Sequence, residues 1–230
     1  MAMDGSEELD GSELGTKAFW DAAYSREVEN FKSHKDVGEV WFGEDSMDRV
    51  IRYVERCDEI TESSSILDVG CGNGLFLIEL ACAGYTDVTG VDYAADAVKL
   101  ARMVAEDKKV AVTFETADFM SVSTSESAGT ELPACLRRQY DVVHDKGTYD
   151  AVSLSPDNPK EERLRYIESV RRLVRPGGLL LITSCNWTAS ELTAHLCPTF
   201  LHVKTLPTPS FSFGGCSGSV VSSLVFRRPD

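Results

Sequence analysis

No stretch of this 230-residue sequence approaches the roughly 20 apolar residues of a membrane span, so a membrane is not an expected partner. The seven cysteines, at positions 57, 71, 82, 135, 185, 197 and 216, form no CxxC pair and no zinc-like spacing. Reduced, mostly buried thiols are expected. The nearest approach to a ligand cluster, Cys185, His195, Cys197 and His202, fits no common metal motif, and no metal is expected. Basic residues are also in deficit. With 23 of them against 37 acidic residues, the net charge of -14 leaves no clustered Lys and Arg to grip a phosphate backbone, which argues against nucleic acid and suits a basic or cationic partner. There is no heptad repeat to drive assembly, so a monomer is expected. Residues 1–15 are acidic and polar, lacking the basic flank and apolar stretch of a signal or transit peptide; they read as a disordered tail, and the chain as cytoplasmic or nuclear.

What is present is a patterned chain large enough for one sizeable core. Residues 16–60 read as a helical cover. One helix is expected near 17–31, and a second carries Met47, Val50, Ile51 and Val54 on one face with Asp45 or Ser46 as its N-cap. From 61 to 230, short apolar strands alternate with amphipathic helices, which predicts an α/β fold: a Rossmann-like, mostly parallel seven-stranded sheet with helices on both faces. Strands are expected at Ser65–Val69, 88–91, 110–115, 140–144 and 179–184. A Ser/Thr-rich surface insertion is expected at 121–130. Asn158 followed by Pro159 marks one helix start, and Thr188 with Glu191 forms a capping box for another. Two last strands, near Leu201–Leu206 and 220–226, should pair antiparallel at the sheet edge.

The strongest local signal is a strand running into Asp68-Val69-Gly70-Cys71-Gly72-Asn73-Gly74 and then a helix. Glycines at 70, 72 and 74 allow a tight turn and close approach of backbone to a ligand. A dinucleotide fingerprint requires glycine at 75, where Leu75 stands, and the lysine of a phosphate loop is missing too. Asp92 ends the second strand twenty residues after Gly72, placed to accept from ribose hydroxyls, with Tyr93 beside it. Asp118 and Phe119, after the third strand, are placed for an adenine amino group and ring. The competing readings are a capping Asp68, a turn Asp92 and a solvated Asp118.

Ligands of open α/β sheets sit at the carboxyl ends of the strands, so Asp145-Lys146-Gly147-Thr148-Tyr149-Asp150 should face the reacting group. The segment contains no Asn/Asp-Pro-Pro-Tyr type motif. Asp145, Asp150 and Glu44 are the acids to weigh on that side. Trp187, Trp41 and Phe213 are candidate walls of an aromatic channel, Trp41 also for the cofactor. Lys146 has two readings, contact with a cofactor carboxylate and plain solvation. His144 reads as a hydrogen-bonded core residue.

The glycine unit resembles motif I of the seven-β-strand, class I S-adenosylmethionine-dependent methyltransferases. In that family Asp68 would face the methionine end of the cofactor. Across about 16–226 the chain is similar to the lysine methyltransferases of translation elongation factor 1-alpha, of the methyltransferase-like ten type. The likeness rests on Trp41-Phe42-Gly43-Glu44, the Leu67 to Gly74 run, the Asp145 to Asp150 run, Ser184-Cys185-Asn186-Trp187-Thr188 and Pro207-Thr208-Pro209-Ser210-Phe211-Ser212-Phe213-Gly214-Gly215. It implies S-adenosylmethionine as cofactor, N-methylation of a lysine, and the elongation factor as protein substrate, with Asp145 first, Asp150 second and Glu44 third as the carboxylates to orient the lysine's cationic amine. Two other classes remain open at this point: methylation of another protein or small-molecule amine, and cofactor binding without catalysis.

Overall fold

The computed structural model describes residues 9–123, 131–208, 211–213, 216–218 and 221–230, with the side chains of 211–213 and 216–218 excepted. Helix α1 (Lys17–His34) is capped by the Thr16 hydroxyl, which accepts from the Phe19 amide, and it ends where Lys35 turns left-handed. Helix α2 (Glu44–Arg56) is capped two to three residues before the expected Asp45 or Ser46. Its N-cap is Gly43, whose φ of 79° follows an equally left-handed Phe42, so backbone conformation rather than a side-chain cap sets the start. Met47, Val50 and Val54 are buried as the spacing predicts.

The parallel sheet follows. Strand β1 (Ser65–Val69) leads to α3 (Leu75–Cys82), β2 (Asp87–Asp92) to α4 (Ala95–Lys108), and β3 (Thr113–Thr116) to a 3-10 turn at Phe119–Ser123. Most of the expected surface insertion, residues 124–130, lies outside the described residues. Strand β4 (Tyr140–Lys146) runs two residues beyond its expected end and passes through Gly147 into a short helix α5 (Thr148–Ser153) that the sequence pattern did not announce. Helix α6 (Pro159–Leu173) has Pro159 at its first position, but Asn158 takes a left-handed conformation and its side chain makes no cap. Strand β5 (Val174–Ser184) and α7 (Ala189–Leu196) follow, the latter with the Thr188 and Glu191 capping box in place. The chain closes with β6 (Leu201–Leu206), a two-stranded ribbon of β7 (Phe211–Phe213) and β8 (Cys216–Gly218), and β9 (Ser222–Arg227).

The sheet order is β3-β2-β1-β4-β5-β9-β6, with β9 antiparallel to both β5 and β6. The order reverses direction between β1 and β4, so the crevice of a doubly wound sheet opens at their carboxyl ends. Period-two alternation divides the core. Ile66, Val142, Leu179 and Leu181 face α1 to α4, while Leu67, Val143, Leu180 and Ile182 face α6 and α7.

Residues 9–15 depart from the expected tail. Leu9 packs on the second core cluster, the Ser12 amide donates to the Leu154 carbonyl at 3.0 Å, and Trp20 Nε1 donates to the Leu14 carbonyl at 2.7 Å. The segment docks closely because it is small: a Cβ on Gly15 would stand 2.2 Å from the Leu154 carbonyl oxygen. Residues 1–8 of that tail lie outside the described residues.

Candidate active site

A cleft of about 320 Å³ opens at the carboxyl ends of β1, β2 and β4. Its floor is the glycine loop. Gly70 and Gly72 have φ of 68° and 54°, the conformation that excludes most side chains. A Cβ on Gly70 would meet Thr148 Oγ1 at 2.0 Å, and one on Gly72 would meet Tyr24 Oη at 2.5 Å. Gly74, expected beneath a ligand, is turned the other way. Its position lets α3 approach Phe114 and Ala101, which a Cβ would meet at 2.5 and 2.8 Å, so it serves helix and sheet packing rather than the cleft.

Asp68, Asp92, Tyr93, Asp118, Phe119 and Trp41 all line the cleft. Asp92 accepts from the Gly72 amide at 3.1 Å and the Ala94 amide at 2.9 Å. A carboxylate offers about four lone-pair sites, so two remain for a ligand's hydroxyls. Burial pushes Asp92 up to about 6, against the pull of its two amide donors. Asp68 Oδ1 lies 2.7 Å from His144 Nδ1, and the buried His144 ring stacks on Phe76 with centroids 3.7 Å apart. That contact locks the Asp68 rotamer and leaves Oδ2 for the cleft.

The acceptor candidates separate. Asp150 lines the cleft; its carboxylate accepts from the Cys185 amide at 2.8 Å and from the Ser184 hydroxyl, and no cation pairs with it among the described residues. Burial raises its pKa. Asp145 does not line the cleft. It is fully buried and accepts from the Thr148 amide at 3.0 Å, the Tyr149 amide at 3.0 Å and the Tyr166 hydroxyl at 2.7 Å, so it caps α5 and is occupied from inside. Burial pushes it up to about 8 against the Tyr166 bond. Trp187 is likewise withdrawn: it is 3% exposed, and Nε1 donates to Ser153 Oγ at 3.1 Å beneath α5. Glu44 begins α2 on the exposed surface outside the cleft. The Phe213 side chain lies outside the described residues.

Several lining residues escaped the sequence reading. Leu14, Gly15, Lys17, Trp20 and Tyr24 roof the cleft from the N-terminal segment and α1. Trp20 and Tyr24, four residues apart and stacked at 6.1 Å, carried a usable signal, since that spacing puts two aromatics on one helix face. Phe42, Thr148, Glu162, Cys185 and Asn186 complete the lining near the ends of β4 and β5. Asn73 Nδ2 donates to the Val37 and Glu39 carbonyls at 3.1 and 3.3 Å, tying the 37–42 loop to the glycine loop. The carboxylates lining the cleft (Asp68, Asp92, Asp118, Asp150, Glu39 and Glu162) outnumber its two lysines, so the field attracts cations.

Comparison with known proteins agrees with this geometry. The profile of the methyltransferase-domain family matches residues 60–220. EEF1A lysine methyltransferase 2 of Danio rerio is 44% identical, covering 98% of this chain and 92% of that protein. The Homo sapiens protein of the same name is 42% identical over 94% and 87%. Protein-lysine N-methyltransferase EFM4 of Saccharomyces cerevisiae is 36% identical over 98% and 99%. Among solved structures, the N-methyltransferase NodS of Bradyrhizobium japonicum in complex with S-adenosyl-l-homocysteine superposes with a TM-score of 0.62 over 92% of this chain and 99% of that one, at 16% identity. The [4+2]-cyclase SpnF superposes at 0.63 over 96% and 97% with 15% identity, so this fold alone does not choose a reaction. Matched by the profile over most of its length and by relatives aligned nearly end to end, the chain belongs to the methyltransferase-domain family and, within it, to the EEF1A lysine methyltransferases.

Proposed function

We propose that this chain transfers a methyl group from S-adenosylmethionine to a lysine side chain of translation elongation factor 1-alpha. The observation that carries the reading is the meeting, in one acidic cleft, of a nucleoside cradle and a buried carboxylate, Asp150, that has no cationic partner among the described residues. The names of the relatives supply the substrate. Bound S-adenosylmethionine supplies an electrophilic methyl on a sulfonium. The chain's own part is to hold both reactants and exclude water. Asp92 accepts from the ribose hydroxyls, Asp118 and Phe119 hold the adenine, and Asp68 accepts from the α-amino group. Trp20, Tyr24 and Trp41 close the roof.

On the acceptor side the task is to deliver a neutral amine in line with the methyl. Free lysine has a pKa of ~10.4 and is almost wholly protonated at neutral pH. Asp150 attracts the ammonium and fixes its position; the apolar walls, Phe42 among them, disfavour the charged form once the side chain is inserted. The acid-rich cleft also matches a basic partner surface. Action as a monomer in the cytoplasm or nucleus is part of the same proposal, supported by the six free thiols among the described residues and the lack of a heptad pattern.

Asp92→Ala is expected to weaken S-adenosylmethionine binding about tenfold or more, because ribose hydrogen bonds worth ~1 kcal/mol each disappear along with the anchor on the Gly72 amide. Unchanged affinity in titration calorimetry removes Asp92 from the ribose. The reaction itself is tested by transfer of labelled methyl into purified elongation factor 1-alpha, with mass spectrometry of its lysines and an Asp68→Ala control. A labelled lysine that vanishes in the control supports reaction and substrate together. Cofactor binding without transfer overturns the substrate.

A further inference from the structure

Lys146 is the last residue of β4, half-buried in the cleft wall, and its ammonium makes a single hydrogen bond among the described residues, to the Trp41 carbonyl at 3.0 Å. Nζ lies 5.7 Å from the centre of the Phe42 ring, and among the described residues no carboxylate comes within ion-pair distance. Asp68, Asp145 and Glu39 are the carboxylates whose fields reach it, while burial opposes its charge. An ammonium has three donors, so two are uncommitted in a place where desolvation makes idle donors costly.

The sheet order says what stands opposite them. On the cofactor reading, adenine would sit after β3 and ribose after β2, and the strand order would carry the rest of the cofactor along the strand ends to β1 and then β4. Its amino-acid end is a zwitterion. Asp68 at the end of β1 answers the ammonium half, and the carboxylate half requires a cation. Lys17 and Lys146 are the lysines lining the cleft, which no arginine lines among the described residues. Lys17 is committed elsewhere: Nζ holds both oxygens of Asp21 at 2.6 and 2.7 Å and lies 5.4 Å from the Tyr93 ring, on the nucleoside side.

We infer that Lys146 binds the carboxylate of the cofactor's amino-acid end, completing with Asp68 a clamp for the zwitterion. This rests on the cofactor reading above. A charge-assisted bond of this kind is among the strong ones, and its direction along the strand end fixes the sulfonium in the cleft. The same ammonium holds the Trp41 carbonyl, so a role as a mere latch on the 37–42 loop is the rival account, and the two make different demands on the ligand.

The test titrates the full chain by calorimetry with S-adenosylmethionine and with its decarboxylated form, which keeps the sulfonium and the amino group and lacks only the carboxylate. Lys146→Gln keeps a donor for the Trp41 carbonyl and discards the charge. The natural chain is expected to prefer S-adenosylmethionine, and the variant to lose roughly tenfold to a hundredfold for that ligand with less than about a twofold change for the decarboxylated one. Lys146→Arg should restore part of the preference, and equal melting temperatures of the unliganded proteins check that each variant is folded. Equal losses for the two ligands, or a natural chain indifferent to the carboxylate, overturn the inference while leaving the cofactor in place. A natural chain that binds neither ligand overturns the cofactor reading itself.

Discussion

Asp150→Asn is expected to lower kcat/KM for protein methylation about a hundredfold while leaving S-adenosylmethionine affinity and the melting temperature nearly unchanged. Asparagine can still accept from the Cys185 amide, and its amide group can turn toward the Ser184 hydroxyl, so the tie between α5 and the end of β5 survives. What is lost is the negative charge facing the acceptor channel. A substrate ammonium would then enter without a counter-charge and without a fixed direction, and small errors of position at a reacting centre cost on the order of a hundredfold. Single-turnover methylation with saturating cofactor separates this from a binding defect. Full activity in the asparagine variant would leave Asp150 as a tie between α5 and β5 and nothing more.

The second large effect falls on stability. Asp145→Ala is expected to destabilise the fold by about 3–5 kcal/mol, because two amides in the first turn of α5 and the buried Tyr166 hydroxyl lose their acceptor together and each unsatisfied group costs about 1–3 kcal/mol. In a chain of this size that corresponds to a fall in melting temperature of roughly 10 °C. Asp145→Asn keeps an acceptor for the amides and should lose less than half as much. Activity should fall in proportion to the folded fraction, with the remaining folded protein binding cofactor normally. An alanine variant as stable as the natural chain would mean that α5 is held by its packing alone.

These two carboxylates show where sequence reading stopped. They stand five residues apart in one motif, both acidic and both next to a strand end, and the order of preference placed Asp145 first. The choice turns on α5. Once Gly147 ends β4 with a φ of 85°, the helix begins at once, Asp145 is left as its cap, and Asp150 is carried to the cleft. Trp187 was misplaced for a similar reason: it follows a cleft residue in the chain, but its indole turns under α5 to Ser153. In residues 9–15 an acidic, glycine-rich composition looked like a tail, yet Gly11 and Gly15 are small because Pro156 and Leu154 lie against them.

Residues 68–119 that line the cleft were legible because their constraints are local. A strand, a turn that only glycine can make at Gly70 and Gly72, a helix, and acids at the ends of the next two strands are all written within about fifty consecutive residues, and each is a demand on backbone conformation or strand length. From the sequence alone come the α/β class, the mostly parallel sheet with its antiparallel edge pair, and the residues after the first three strands that line the cleft; the strand order belongs to the tertiary structure. The rest of the cleft was decided by tertiary structure. It is assembled from the N-terminal segment, the 37–42 loop, α5, Glu162 and the turn after β5, which meet only when the sheet has formed. Which of their side chains faces the cleft depends on the turn each helix has reached and on which donors have already claimed a carboxylate, and residue type and spacing do not encode either.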